Sequence, residues 1–243
     1  SKDFREAGIG PAARVSWKQE DMRSKTSSWS LVSWNVTSLR SLRDGNAHKV
    51  AEITKELDKG LVLLQETHWR PGSAGEAART FPHAIVHESL PRLTEADATS
   101  GGVATLFPTQ GGYVAKPQPD EVVPGRIIRS VVRWNSVPMH VWNVYVPPQE
   151  RAETLKAWES WIDGQRDPEQ EGHPVGVVAG DFNIDAARSR DRDVDTSLQR
   201  IFRKLAVVEV AVRSASEQGM GTYKGPNGAM SSIDRIAVSR SEV

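Results

Sequence analysis

The sequence predicts an α/β domain in which mixed β-sheets carry helices on their outer faces. Helix-like and strand-like segments alternate along the chain, and several strand pairs are joined too closely for a parallel crossover. Leu61-Val-Leu-Leu64 and Val175-Gly-Val-Val-Ala179 also read as strands buried on both faces. Two sheets with helices outside fit this pattern. With 243 residues, 38% of them apolar and 26% charged, the chain is long enough for one such domain with a substantial core.

Residues 1–28 are polar, contain Gly8-Ile-Gly-Pro11 and lack a sustained period, so they read as an extended N-terminal arm ahead of a domain spanning 29–243. Trp29 to Trp34 is a β-rich run that ends at Asn35. From Asn46 to Lys59, Val50, Ile53 and Leu57 share one helical face, with Gly60 placed as a C′ glycine. The run 61–64 then ends on polar Gln65 and Glu66. Strands are expected at Ala84–His87, Gly102–Phe107, Ile127–Trp134 and Met139–Val146, the last two forming a hairpin around Asn135-Ser-Val-Pro138. Arg151–Asp163 reads as a helix with Leu155, Trp158 and Ile162 on one face, ended by Gly164. Val175–Ala179 is a strand leading into Gly180-Asp-Phe-Asn183. Ser197–Leu205 is a helix, and Val207–Val212 and Ile233–Val238 are the last strands.

Cysteine is absent, which excludes disulfides, thiolate metal sites and cysteine nucleophiles and leaves oxygen and imidazole as metal ligands. No apolar run approaches the roughly 20 residues of a membrane span, and the N-terminus lacks a signal-peptide core, so a soluble, intracellular chain is expected. The 31 basic residues balance the 31 acidic ones, so a nucleic-acid partner would have to be met by a local patch.

Polar residues cluster where apolar runs stop: Asn35, Glu66, Tyr145, and Asp181 with Asn183. Asp234 sits inside the apolar run Ser231-Ser-Ile-Asp-Arg-Ile-Ala-Val-Ser239, where a charge is costly unless partnered. A carboxylate such as Glu66 with an amide oxygen from Asn35 suits Mg²⁺, which takes one or two carboxylates and keeps several waters. Asp181 and Asn183, two apart in an extended segment, point the same way; together they could activate a water and hold a phosphate oxygen. Each residue taken alone also fits a polar strand end facing solvent.

Taken in order, SWNVTSLR, LLQETHW, NVYVPP, GDFN and SSIDRIAVS resemble the endonuclease/exonuclease/phosphatase superfamily, over about residues 29–240. The resemblance implies a four-layer α/β sandwich and a Mg²⁺- or Mn²⁺-assisted attack of water on a phosphate ester. It puts Asn35 and Glu66 at the metal, Tyr145 near the phosphate, Asp181 on the attacking water and Asn183 on the phosphate. Asp234 matches the aspartate that orients the family's catalytic histidine. QETHW, TYKG and SSIDRIAVS look most like the endonuclease domain of LINE-type (non-LTR) retrotransposons, which nicks target DNA; a nuclear location would follow.

Thr37 and Ser38 stand where abasic-site endonucleases carry an aspartate, and Pro148 stands where YxPN has asparagine. The family's Ser-Asp-His motif and the last core strand have no counterpart before Val243. This predicts impaired activity and a sheet edge open to self-association. None of the six histidines lies in that context, and His68 reads as a surface or supporting residue.

Arg40, Arg43 and Lys49 after the first motif, and Arg188, Arg190 and Arg192 after GDFN, are candidate phosphate contacts. The second group alternates with Asp191, Asp193 and Asp195, so a self-paired loop competes with that reading. Thr222 and Ser232 fall at positions that touch DNA in the retrotransposon relatives. Trp69 is read as core or loop packing, with base stacking as the alternative. The readings that remain are a DNA endonuclease, a phosphatase or lipid phosphodiesterase on the same scaffold, and a non-catalytic DNA- or protein-binding relic.

Overall fold

The computed structural model describes residues 13–20, 26–39, 46–69, 75–93, 99–110, 112–165, 175–185, 188, 191–210, 223–224, 230–231 and 234–239. The strands are β1 (Ala13–Glu20), β2 (Thr26–Asn35), β3 (Gly60–Gln65), β4 (Ala84–Ser89), β5 (Arg92–Leu93), β6 (Thr99–Ser100), β7 (Val103–Pro108), β8 (Tyr113–Ala115) and β9 (Asp120–Val123). They continue as β10 (Ile127–Trp134), β11 (Val137–Tyr145), β12 (Val175–Asp181), β13 (Val207–Val210), β14 (Tyr223–Lys224), β15 (Met230–Ser231) and β16 (Asp234–Ser239). The helices are α1 (Ala47–Leu57), α2 (Glu76–Thr80), α3 (Arg151–Gly164) and α4 (Arg192–Lys204).

Two mixed sheets result. The first has the order β1-β2-β3-β7-β4; the second runs β13-β16-β12-β11-β10-β8, with β9 also paired to β10. Each contains a parallel pair, β2 with β3 and β11 with β12, and each pair is joined through a helix, α1 or α3. A parallel pair needs such a crossover, whereas β10 and β11 are antiparallel and turn within Asn135 and Ser136, both at positive φ as a tight hairpin requires.

Three apolar clusters make the layers. Leu31, Leu61, Leu63, Val141, Val177, Ala179 and Ile236 pack between the sheets. Ile53 and Leu57 of α1 cover the outer face of the first sheet over Trp34, Val62 and Leu64. Leu155 and Trp158 of α3, with Leu198, Ile201 and Phe202 of α4, cover the second sheet over Trp142, Val144 and Val178. This is the expected four-layer α/β sandwich.

The structure differs from the sequence reading at several boundaries. Gly60 does not cap α1 but opens β3, where a Cβ would lie 2.8 Å from the Ser30 backbone nitrogen. α3 ends at Gly164, as expected, whereas α4 begins at Arg192, more than a turn before the expected start. Residues 13–20, inside the polar segment read as an arm, pair antiparallel with β2 from Ala13↔Ser33 to Glu20↔Thr26. An edge strand is selected largely by the backbone hydrogen bonds it offers its neighbour, which composition does not reveal. β2, the strand that carries Asn35, therefore has a ladder partner on both sides.

A polar bridge crosses the layer between the sheets. Gln65 donates to the Asn143 Oδ1 at 2.8 Å, and the Asn143 amide donates to the carbonyls of Leu64 (3.2 Å) and Ala104 (2.8 Å); both side chains are fully buried. Replacing Asn143 with leucine leaves Gln65 and two carbonyls without these partners. Asn143→Leu is expected to cost about 2–4 kcal/mol, read as a lower urea midpoint.

Burial, with the charge of Arg129 adding to it, pushes His140 down to about 4. The folded state then binds fewer protons than the unfolded one, so this stabilising contribution is complete above the unfolded value of about 6.5 and is lost as pH falls towards 4. His140→Gln is expected to reduce the stability lost between pH 7 and pH 4.5 by about 2 kcal/mol, measured by urea unfolding at both pH values.

Candidate active site

Along each inward-facing strand the side chains change from apolar to polar towards one end. The series are Leu31-Ser33-Asn35 in β2, Leu61-Leu63-Gln65 in β3, Val141-Asn143-Tyr145 in β11 and Val177-Ala179-Asp181 in β12. Read backwards, Val238-Ile236-Asp234 in β16 does the same. A strand's period of two puts each series on one face, so the polar ends collect at one rim of the layer. That rim lies at the C-terminal ends of both parallel pairs. Tyr145 is in register with Asp181, Asp181 with Asp234, and Asn35 with Gln65, one residue before Glu66.

Hydrogen bonds join these residues across the two sheets. The Asn35 amide nitrogen donates to Glu66 Oε1 at 3.0 Å and to Asp181 Oδ2 at 2.8 Å, while its oxygen accepts the Thr37 N–H at 2.9 Å. The resemblance puts Asn35 at the metal; in this network its nitrogen, rather than its oxygen, faces the carboxylates, so it orients both of them. The Tyr145 hydroxyl stands close enough to Glu66 and Asp181 for both carboxylates to act on it. The Asn183 N–H donates to Asp181 Oδ1 at 3.0 Å, and its amide nitrogen donates to the Val146 carbonyl at 3.0 Å. Asp234 is buried beside Asp181 in the ladder.

Close strand approach makes this possible. At Gly180 a Cβ would lie 2.7 Å from the Val144 carbonyl carbon, so only glycine lets β12 bring Asp181 level with Tyr145. Thr37, Glu66, His68 and Asn183 have φ between 50° and 59°, four of the seven described non-glycine residues at positive φ. Backbone strain is therefore concentrated in the loops that present the site.

Burial sets the electrostatics. Asp181 is 3% exposed; burial pushes its carboxyl up to about 6, with the Asn35 and Asn183 hydrogen bonds opposing the rise and the Glu66 charge adding to it. Burial also pushes the Tyr145 phenol up, and the nearby Glu66 and Asp181 add to that, so the phenol stays a proton donor across the ordinary pH range.

The donor set fits a small hard cation. It is all oxygen, and the Glu66 side chain is 21% exposed, leaving room for coordinated water. Among the described residues no three acidic or histidine side chains converge as a metal cage. Of the site residues, Glu66 is the carboxylate that would hold such an ion.

The structure brings together Asn35, Glu66, Tyr145, Asp181, Asn183 and Asp234. Arg188 pairs with Asp185 at 3.2 Å, in keeping with a self-paired loop. Arg40, Thr222 and Ser232 lie outside the described residues. Trp69 is 2% exposed and packs in the core under α1. Of two further neighbours, His68 takes the supporting place that the sequence allows, and Arg126 is one that the sequence does not single out. His68 turns back so that its Nε2 lies 3.9 Å from Glu66 Oε2, and Arg126 places its guanidinium carbon 5.5 Å from the Tyr145 ring centroid. The positive φ that turns His68 inward has no sequence signature in a histidine, and Arg126 stands in an ordinary turn before β10.

Residues 32–243 match the endonuclease/exonuclease/phosphatase family. No curated protein matches the sequence. Among solved structures, the AP endonuclease LMAP from Leishmania major aligns with a TM-score of 0.62 and 16% identity, covering 99% of this chain and 86% of that one. The endonuclease domain of TRAS1, a telomere-specific non-LTR retrotransposon, aligns at 0.55 and 13%, covering 95% and 86%. A beta toxin from Staphylococcus aureus aligns at 0.54 and 16%, covering 87% and 84%. At these identities the likeness is one of fold. The match over most of its length, on this fold and with this cluster, establishes that the chain belongs to the endonuclease/exonuclease/phosphatase family.

The Asn35 bonds also make a measurable claim. Because Asn35 donates to the ionised form of Asp181, Asn35→Ala is expected to raise the Asp181 titration midpoint above that of the parent, followed by carboxyl ¹³C NMR on metal-free protein.

Proposed function

We propose that this chain hydrolyses phosphodiesters with a divalent cation, Mg²⁺ or Mn²⁺, and that its substrate is DNA, nicked as by the endonucleases of non-LTR retrotransposons. The observation that carries the reading is Asn35 bonded at once to Asp181 and Glu66, with Tyr145 beside both, at the shared rim of the two sheets. The QETHW and SSIDRIAVS motifs support the retrotransposon type, as does the fold shared with the TRAS1 domain.

In this reading the oxygen of a water attacks phosphorus, the water's proton passes to the Asp181 carboxylate, the phosphorus–ester oxygen bond breaks, and the departing oxygen takes a proton from solvent to leave as an alcohol. A carboxyl raised to about 6 is a better base than an exposed one and still ionises at neutral pH. Asn35 and the Asn183 N–H hold that carboxylate in one orientation, so little reorganisation is needed as the proton arrives. The Asn183 amide gives one hydrogen to Val146 and also acts on the Asp181 carboxylate, which places it beside the phosphate in this reading. Tyr145, kept protonated, is a donor to the phosphate or to Glu66. A cation held by Glu66 supplies positive charge against the negative charge that develops on the phosphate.

Supercoiled plasmid incubated with the chain and Mg²⁺ or Mn²⁺ is expected to yield nicked circles. Asp181→Ala should lower the rate by at least about 10²-fold. No nicking by the parent chain would overturn the DNA reading and turn the search to small phosphate esters.

A further inference from the structure

We propose that Arg126 is a positioning residue that locks the Glu66 loop and the Tyr145 ring into one geometry. The inference deepens the functional reading above and rests on it for its catalytic meaning. Arg126 precedes β10 in the second sheet, and its carbonyl accepts the Tyr145 N–H at 2.8 Å. Its side chain is 2% exposed. Nη1 donates to the Ser100 carbonyl at 2.8 Å, Nη2 donates to Ser100 Oγ at 3.1 Å, and the guanidinium lies over the Tyr145 ring. Glu150 is farther, at 3.4 Å, and 42% exposed, so this ion pair is the weaker tie.

Ser100 is where the coupling starts. Gly101 follows it at φ +83°, and Nη1 of Arg126 occupies the space that a Cβ there would need. The carbonyls of Gly101 and Gly102 accept the N–H groups of His68 and Thr67, both at 3.1 Å, and Gly102 N–H donates to the Gly125 carbonyl at 3.0 Å. Thr67 and His68 follow Glu66, whose own φ is 54°. The buried fork thus clamps the segment that receives the strained Glu66 turn, and its charged end lies over the ring of the tyrosine that stands beside Glu66. A buried arginine that only filled space would be replaceable by an apolar side chain of similar length. This one donates to a backbone carbonyl of the loop on which the Glu66 turn rests.

The test is amide hydrogen exchange on the metal-free parent, Arg126→Met and Arg126→Lys. Lysine keeps the charge but not the planar fork, and so serves if the methionine variant does not fold. The Thr67 and His68 amides are expected to exchange about tenfold faster in the variants, while Leu63 in β3 and Val141 in β11 stay within about twofold of the parent. No change at Thr67 and His68, or an equal acceleration at all four, would overturn the proposal. Mn²⁺ binding by the same proteins gives the second readout: weaker binding in the variants supports the clamp. A parent that neither binds Mn²⁺ nor nicks DNA, yet shows the selective exchange, would defeat the functional reading and leave the positioning intact.

Discussion

The bridge between Gln65 and Asn143 sets the relation between the two sheets on which the site depends. An apolar interface of Leu, Val and Ala alone allows two sheets to slide by small steps, because dispersion contacts are not directional. A buried amide pair that also ties Asn143 to the carbonyls of Leu64 and Ala104 has one good arrangement, since any slip leaves several polar groups without partners. Gln65 stands one residue before Glu66, and Asn143 two before Tyr145. The bridge therefore sets the position of both polar strand ends relative to each other.

Above that bridge the site is built twice in the same way. Each sheet contributes a parallel strand pair with a helical crossover, and each pair delivers polar residues at its C-terminal end: Asn35 and Glu66 from one, Tyr145 and Asp181 from the other. The sheets pack with these ends together, so two carboxylates come close enough to share a single amide donor. Bringing two acids together and burying one of them is costly, and part of the cost appears as the raised titration of Asp181. Such an arrangement is kept where a cation or a transferred proton relieves it.

Strain and support are separated in space. The positive-φ residues Thr37, Glu66, His68 and Asn183 lie in loops beyond the strand ends, whereas the ladders beneath them are regular and fully packed. Loop 99–102 and Arg126 link the two regions by tying the Glu66 turn to the second sheet. The local cost of each unusual backbone angle is offset by hydrogen bonds that a relaxed loop would lose.

The sequence alone determined the alternation of strands and helices, the hairpin at Asn135 and Ser136, the core faces of α1, α3 and α4, and the six residues gathered at the rim. Each leaves a periodic or positional mark: a side chain every second residue in a strand, an apolar stripe every third or fourth in a helix, a polar residue where an apolar run stops. Tertiary structure alone decided that β1 pairs with β2, that Trp69 packs in the core rather than within a loop, and that His68 turns towards Glu66. It also decided that the Asn35 nitrogen, not its oxygen, meets the carboxylates, and that Arg126 reaches Ser100 and Tyr145. These outcomes depend on which backbone groups lack partners and on which side chains from distant strands compete for one space. No local pattern records either until the sheets are packed.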